Sequence, residues 1–226
     1  MPQFDRVTSF FSSSKEAEIY YINDNSHDTA RKEYKRTVIE SLELGDNIKL
    51  FTELVSNGFN RSEEAEYLCK QFLKGKARLN ENSLEYEGKS MSVSRSNHFL
   101  LSESYDYRNK IKNIHTSPPY GGEIWKEANK IHELRKKGKK TEEDIIDLIA
   151  KHTFKRDICF KSYIDRKISN HNGSVIVVMG ASHNLGFLLS KDYTTRKMNE
   201  KKLRMDSANY KANRKELERL KDNFEN

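Results

Sequence analysis

No apolar run in the sequence approaches the roughly 18 residues of a membrane-spanning helix. Met1 to Tyr20 also lacks a basic segment followed by an apolar stretch. Both absences point to a cytoplasmic chain with no membrane span. Cysteine is scarce: Cys69 and Cys159 are the only two, both fall in predicted helices, and neither has a CxxC or Cys/His spacing. That argues against a disulfide scaffold and a cysteine-based zinc site, and leaves two thiols that behave as small hydrophobes. A Gly-x-Ser-x-Gly elbow, a phosphate loop and a GxGxxG fingerprint are all missing. The sequence therefore offers no convincing serine nucleophile, since Ser182 is merely the neighbour of His183, and none of the usual routes to nucleotide binding.

What is present is charge. Of 226 residues 33% are charged and 35% hydrophobic, so much of the chain is helix surface and the strands are few. The length fits one α/β domain with an extension. Aromatic residues make up 10% and cluster with Ile, Leu and Val, which argues against disorder throughout. The net charge of +7 raises the question of a nucleic-acid partner. Much of the excess lies in Glu133 to Lys140 and Lys191 to Asn226, where both signs are mixed as on a solvated helix, so that partner is the lesser alternative.

Ala17 to Asn23 (AEIYYIN) reads as a buried strand ended by Asp24-Asn25-Ser26, Thr29 to Leu44 as a helix stopped by Gly45-Asp46, and Ile48 to Val55 as a second core strand. That order predicts a βαβ unit with a parallel pair, whose strand ends share the rim where open α/β sheets place ligands. A helix follows from Ser62 to about Leu73, ending at Gly75, and Leu84 to Ser94 suggests a hairpin around Glu87-Gly88. Ser117 to Gly122 is a loop, Glu123 to about Lys137 a charged helix, and Thr141 with Asp144 a capping-box-like start before Ile145, Ile146, Leu148 and Ile149. A further helix is predicted from Phe154 to Ser169. Ser174 to Met179 (SVIVVM) has five apolar residues in succession, the pattern of a central parallel strand buried on both faces. Beyond Lys191 a charged helix is expected, with Leu203, Tyr210, Leu217 and Phe224 seven apart, docked back on the domain. The expected organisation is a domain over 1–190 and a charged helical extension over 191–226, in an α/β fold with a mainly parallel sheet flanked by helices and a small hairpin insertion.

The last strand runs into Gly180-Ala181-Ser182-His183-Asn184-Leu185-Gly186, where glycine permits a backbone that other residues resist and the turn presents His183 at the rim. Three predicted strand ends then carry Asp24 and His27, Glu53, and His183. Glu53 sits between Leu50-Phe51-Thr52 and Leu54-Val55, where an isolated carboxylate is costly to bury. Plainer readings stand beside each: Asp24 as a helix cap, His27 and His183 as turn or loop residues, and Glu53 as a core partner of an arginine or an exposed strand end.

The strings D-N-S-H, T-E-L, R-D-I-C-F and V-I-V-V-M-G-A-S-H-N-L-G resemble the superfamily of erythromycin esterases, haem-uptake ChaN proteins, TraB and Tiki proteins, and a core domain of a Pasteurella-type mitogenic toxin. The resemblance spans about Glu18 to Leu189. Gly180 to His183 fits its Gly-x-x-His, Asp24 and His27 its esterase-branch acid three before a histidine, Glu53 its strand-two glutamate, and Arg156-Asp157 its helical Arg-Asp. The Gly-x-x-His form of the first motif is absent. The resemblance implies a hydrolase of ester or peptide-type bonds acting on a small molecule or peptide. Glu53 and His27 would activate water, His183 would assist, and Arg156 would stabilise an oxyanion or hold Glu53. His27, Glu53 and His183 are also a possible ligand set for a divalent metal such as Mn²⁺. The alternative within the same fold is a silent haem-type binding module, with Tyr20, Tyr21, Tyr105 or Tyr107 as an axial oxygen donor.

Overall fold

The computed structural model describes residues 4–7, 15–24, 44–52, 62–80, 83–93, 109–116, 122–136, 145–180 and 183–198. In chain order these are β1 (Phe4–Val7), β2 (Lys15–Asp24), β3 (Ile48–Thr52), α1 (Ser62–Leu73), β4 (Arg78–Leu79), β5 (Ser83–Tyr86), β6 (Lys89–Ser92), β7 (Ile111–His115), α2 (Gly122–Lys136), α3 (Ile146–Ile168), β8 (Ser174–Gly180), α4 (Leu185–Leu189) and β9 (Tyr193–Met198). Among the described residues the main sheet runs β1-β9-β2-β8-β3-β7. Five of its strands are parallel, and β1 alone is antiparallel, to β9. The fold is the expected α/β class.

β8 lies at the centre for the reason its sequence gives: Val175 to Met179 are all buried, so each of its faces needs cover. One face packs Tyr20, Ile22, Leu50, Ile176 and Val178 against Ala65, Leu68, Cys69 and Phe72 of α1. The other packs Ile19, Tyr21, Phe51, Val175, Val177 and Met179 against Phe160, Ile164 and Ile168 of α3 and Leu185 and Leu189 of α4. Helix α2 packs on the N-terminal half of α3 through Ile131, Ile145 and Ile149. A small antiparallel sheet, β4-β5-β6, covers the α1 side. Its tight turn places Glu87 at φ 48° and Gly88 at φ 74°, the left-handed pair of a two-residue hairpin, as the Glu87-Gly88 signal suggested.

Several expectations are corrected. Strands β2 and β3 are parallel but not neighbours, because β8 inserts between them and pairs with both. Phe154–Ser169 is the second half of a longer helix: α3 runs unbroken from Ile146 through Ile168. Residues 193–198, assigned above to a charged helix, form β9, which pairs in parallel with β2, so the main sheet draws on residues beyond 190. Its alternation explains this: Tyr193 and Thr195 are buried while Thr194 and Arg196 are half-exposed, a strand with one wet face. The Tyr193 hydroxyl donates to Asp165 Oδ1 at 2.6 Å, and Lys161 pairs with both Asp165 and Asp192, fastening the start of β9 to α3. The segment 29–43 of the predicted first helix, Thr141 to Asp144 and the heptad-spaced residues 203–224 lie outside the described residues.

Candidate active site at the carboxyl end of the sheet

Parallel strands bring their carboxyl ends to one rim, and the register shows which residues meet there. Asp24 of β2 stands opposite Gly180 of β8, and Thr52 of β3 opposite Val178. The strand end that carries Asp24 therefore adjoins the one that leads to His183. The side chain of Asp24, and all of His27 and Glu53, lie outside the described residues, as do Tyr105 and Tyr107. Of the expected site, His183 and Arg156 are described in full.

From β8 the chain turns at once: the His183 amide donates to the Gly180 carbonyl at 3.0 Å, and α4 starts two residues later. Next to this turn the geometry demands a glycine at Gly186, where a Cβ would lie 2.7 Å from Tyr21 Cδ1. Its bare backbone lets α4 rest on the Tyr21 ring, and that seating fixes the position of the turn just before it.

His183 is buried, and its Nδ1 is hydrogen bonded to Asp157 Oδ1. Asp157 projects from α3 and is wholly buried. Its other oxygen accepts the Asn184 backbone N–H at 2.7 Å. An amide N–H can only donate, so Oδ2 accepts, and in the neutral imidazole a carboxylate that accepts at Oδ1 as well places the proton on His183 Nδ1. The unprotonated lone pair then belongs to Nε2. A carboxylate that fixes the tautomer of an imidazole in this way is the arrangement found behind basic and metal-ligating histidines.

Arg156 precedes Asp157 on α3 and is half-buried. Its charge bears on His152 one turn earlier. Burial is the main influence lowering the His152 pKa; Arg156 and Lys155 push the same way, and Glu127 of α2 opposes them without reversing the direction. Glu127 lies 3.7 Å from His152 Nδ1 and pairs with Lys155. The N-terminal half of α3 thus presents a guanidinium, a buried acid and a neutral imidazole within two turns.

Tyr20 and Tyr21 are core residues on opposite faces of β2, and the Tyr20 hydroxyl donates to Glu18 at 2.7 Å. Cys69 is buried, its thiol pushed up to about 12 by burial and by Glu66, and is inert. Among the described residues no group of three or more His, Cys, Asp or Glu is placed to hold a metal, and no helix is long and apolar enough to cross a membrane. In the sequence Asp157 stands out only as part of an Arg-Asp string, and its contact with His183 appears only in the folded chain. No known protein family, curated protein or solved structure matches the chain.

Proposed function

We propose that the chain is a hydrolase of ester or peptide-type bonds, a divergent relative of the erythromycin esterase, ChaN, TraB and Tiki superfamily, with the Asp157–His183 pair as its acid–base centre. The observation that carries this reading is the buried Asp157 accepting hydrogen bonds from both His183 and Asn184. A carboxylate in that position orients the ring and favours the proton on Nδ1, which makes Nε2 the nitrogen suited to take a proton from water and return it to the leaving group. Arg156, permanently charged, is the candidate for stabilising the negative charge that develops on the carbonyl oxygen. Glu53 and His27 complete the proposal as the water-activating pair. A divalent ion such as Mn²⁺, if bound, would take His183 Nε2 with those two residues and supply Lewis acidity.

The test compares wild type with His183→Asn and Asp157→Asn on a panel of ester and amide substrates, with and without Mn²⁺. His183→Asn retains a donor toward Asp157 but removes the base, and kcat/KM is expected to fall by about 10³-fold. Full activity in His183→Asn, in a protein that still unfolds cooperatively, would end the assignment.

A further inference from the structure

A second imidazole at the same rim is held in the same manner, and the acid–base centre makes no use of it. His115 is the last residue of β7 and pairs in register with Phe51 of β3. The two rings stack at 4.7 Å, and Tyr163 of α3 meets the His115 ring edge-on at 6.1 Å, so His115 lies on the α3 face of the sheet. Its Nδ1 is 3.4 Å from Glu66 Oε1 of α1, and Glu66 Oε2 is 3.4 Å from Lys167 Nζ of α3. Burial alone would raise the Glu66 pKa, but His115 and Lys167 together outweigh it and hold the group below its usual value. Glu66 is therefore a carboxylate facing Nδ1, and in the neutral ring the proton then sits on Nδ1 and the acceptor lone pair on Nε2.

That Nε2 atom is buried and has no hydrogen-bond partner among the described residues. The same holds for the hydroxyls of Thr52 and Thr116, which directly follow Phe51 and His115 and are 0% and 2% exposed. Buried polar atoms without partners are rare in folded chains, and three on two neighbouring strand ends call for a ligand or a water. Strand alternation puts the Thr52 hydroxyl on the face opposite Phe51 and His115, and Thr116 follows directly on the end of β7. A molecule that meets all three must cross the ends of β3 and β7. Strand β3 separates β7 from β8, and His115 stands level with Val177, three residues before Gly180, so His115 and the start of the His183 turn are about 14 Å apart at ordinary strand spacing and rise.

We propose that these residues form a subsite for a peptide segment, in which His115 Nε2 accepts a backbone N–H and the Thr52 and Thr116 hydroxyls donate to carbonyls. An ester analogue supplies the carbonyls but no N–H, and leaves Nε2 buried and unpaired. The subsite thus chooses between the two substrate classes that the hydrolase reading joins, and it rests on that reading for its kinetic arm alone.

The experiment uses a neutral capped peptide and its depsipeptide analogue, in which ester oxygens replace the amide N–H groups. His115→Phe keeps an aromatic ring against Phe51 and leaves Glu66 paired with Lys167. It is expected to lower kcat/KM for the peptide by about 10- to 100-fold, through KM, and to leave the depsipeptide unchanged. An equal loss on both, or none on either, overturns the subsite. In parallel, ¹⁵N spectra of the wild-type imidazoles are recorded during titration with each compound. A shift of His115 Nε2 with the peptide and not with the depsipeptide supports the proposal, and no shift with the peptide overturns it. If wild type cleaves neither compound the hydrolase reading fails, while the titration still decides the subsite.

Discussion

Asp157 is the residue on which the site turns, because a carboxylate with no solvent exposure needs every hydrogen bond it has. His183→Ala removes one of its two donors and leaves a buried charge facing a cavity, so the chain should lose about 3 kcal/mol of stability. His183→Asn keeps an N–H in reach of Oδ1 and should lose far less, about 1 kcal/mol. Urea unfolding of the two variants checks the difference, and equal stabilities would mean that the hydrogen bond does not hold the acid in place. The sequence offered His183 as a candidate, at the end of a buried strand, beside the plainer reading of a loop histidine. It did not mark Asp157 as the partner, because the contact joins residues 26 apart on a helix and a turn. The pairing of Glu66 with His115, 49 residues apart, was hidden for the same reason. Pattern reading sees neighbours along the chain, whereas these pairs exist only once α1 and α3 pack against the sheet.

At the scale of elements, legibility followed apolar content. β8 and the core of β2 were readable because both faces are buried and the residues are correspondingly apolar. β7 reads IKNIH, with Lys112 and Asn113 exposed at the end of the sheet, and β9 reads YTTRKM with alternate residues half-exposed. Strands near a sheet edge tolerate this polarity, which resembles a solvated helix in composition. The element that positions the site is α4, and its packing predicts a sharp sensitivity. Gly186→Ala would place a methyl 2.7 Å from Tyr21 Cδ1 and 2.8 Å from Cε1, inside a ring that is itself only 2% exposed. The short helix must back away, at about 1–3 kcal/mol, and the turn carrying His183 moves with it. Thermal unfolding and turnover should both suffer. Gly45→Ala, with nothing within 4 Å of the added carbon, is the matched control and should change neither.

For the molecule as a whole, two of the buried histidines among the described residues, His152 and His171, contribute to the response to acid. Burial is the main cause that lowers the pKa of His152, with Arg156 next, and burial also leads for His171, where Lys49 and His115 add to it and a hydrogen bond to the Ser174 carbonyl opposes it. Both imidazoles are therefore neutral in the folded chain at a pH where the unfolded chain takes up protons. The unfolded state binds more protons between the lowered values and the usual 6.5, so stability falls as pH drops through 6.5 and levels off below the folded values. Glu66 acts later: its lowered pKa gives stability that is present above the usual 4.5 and is lost as pH falls through the folded value. Urea midpoints measured from about pH 8 down to about pH 3 should show both declines. The double variant His152→Gln, His171→Gln should lose the first and keep the second, and a flat wild-type profile between about pH 7 and pH 5 would contradict the burial of neutral imidazoles.

The claim beneath all of this is that a buried acid fixes the proton of His183 on Nδ1 and turns Nε2 into the working nitrogen. Imidazole ¹⁵N spectra of the full chain near neutral pH read that proton directly. The account predicts a protonated Nδ1 and a bare Nε2 at His183, with the Nδ1 signal displaced in Asp157→Asn. A His183 that carries its proton on Nε2 and leaves Nδ1 bare would contradict it, and with it the acid–base role assigned to the site.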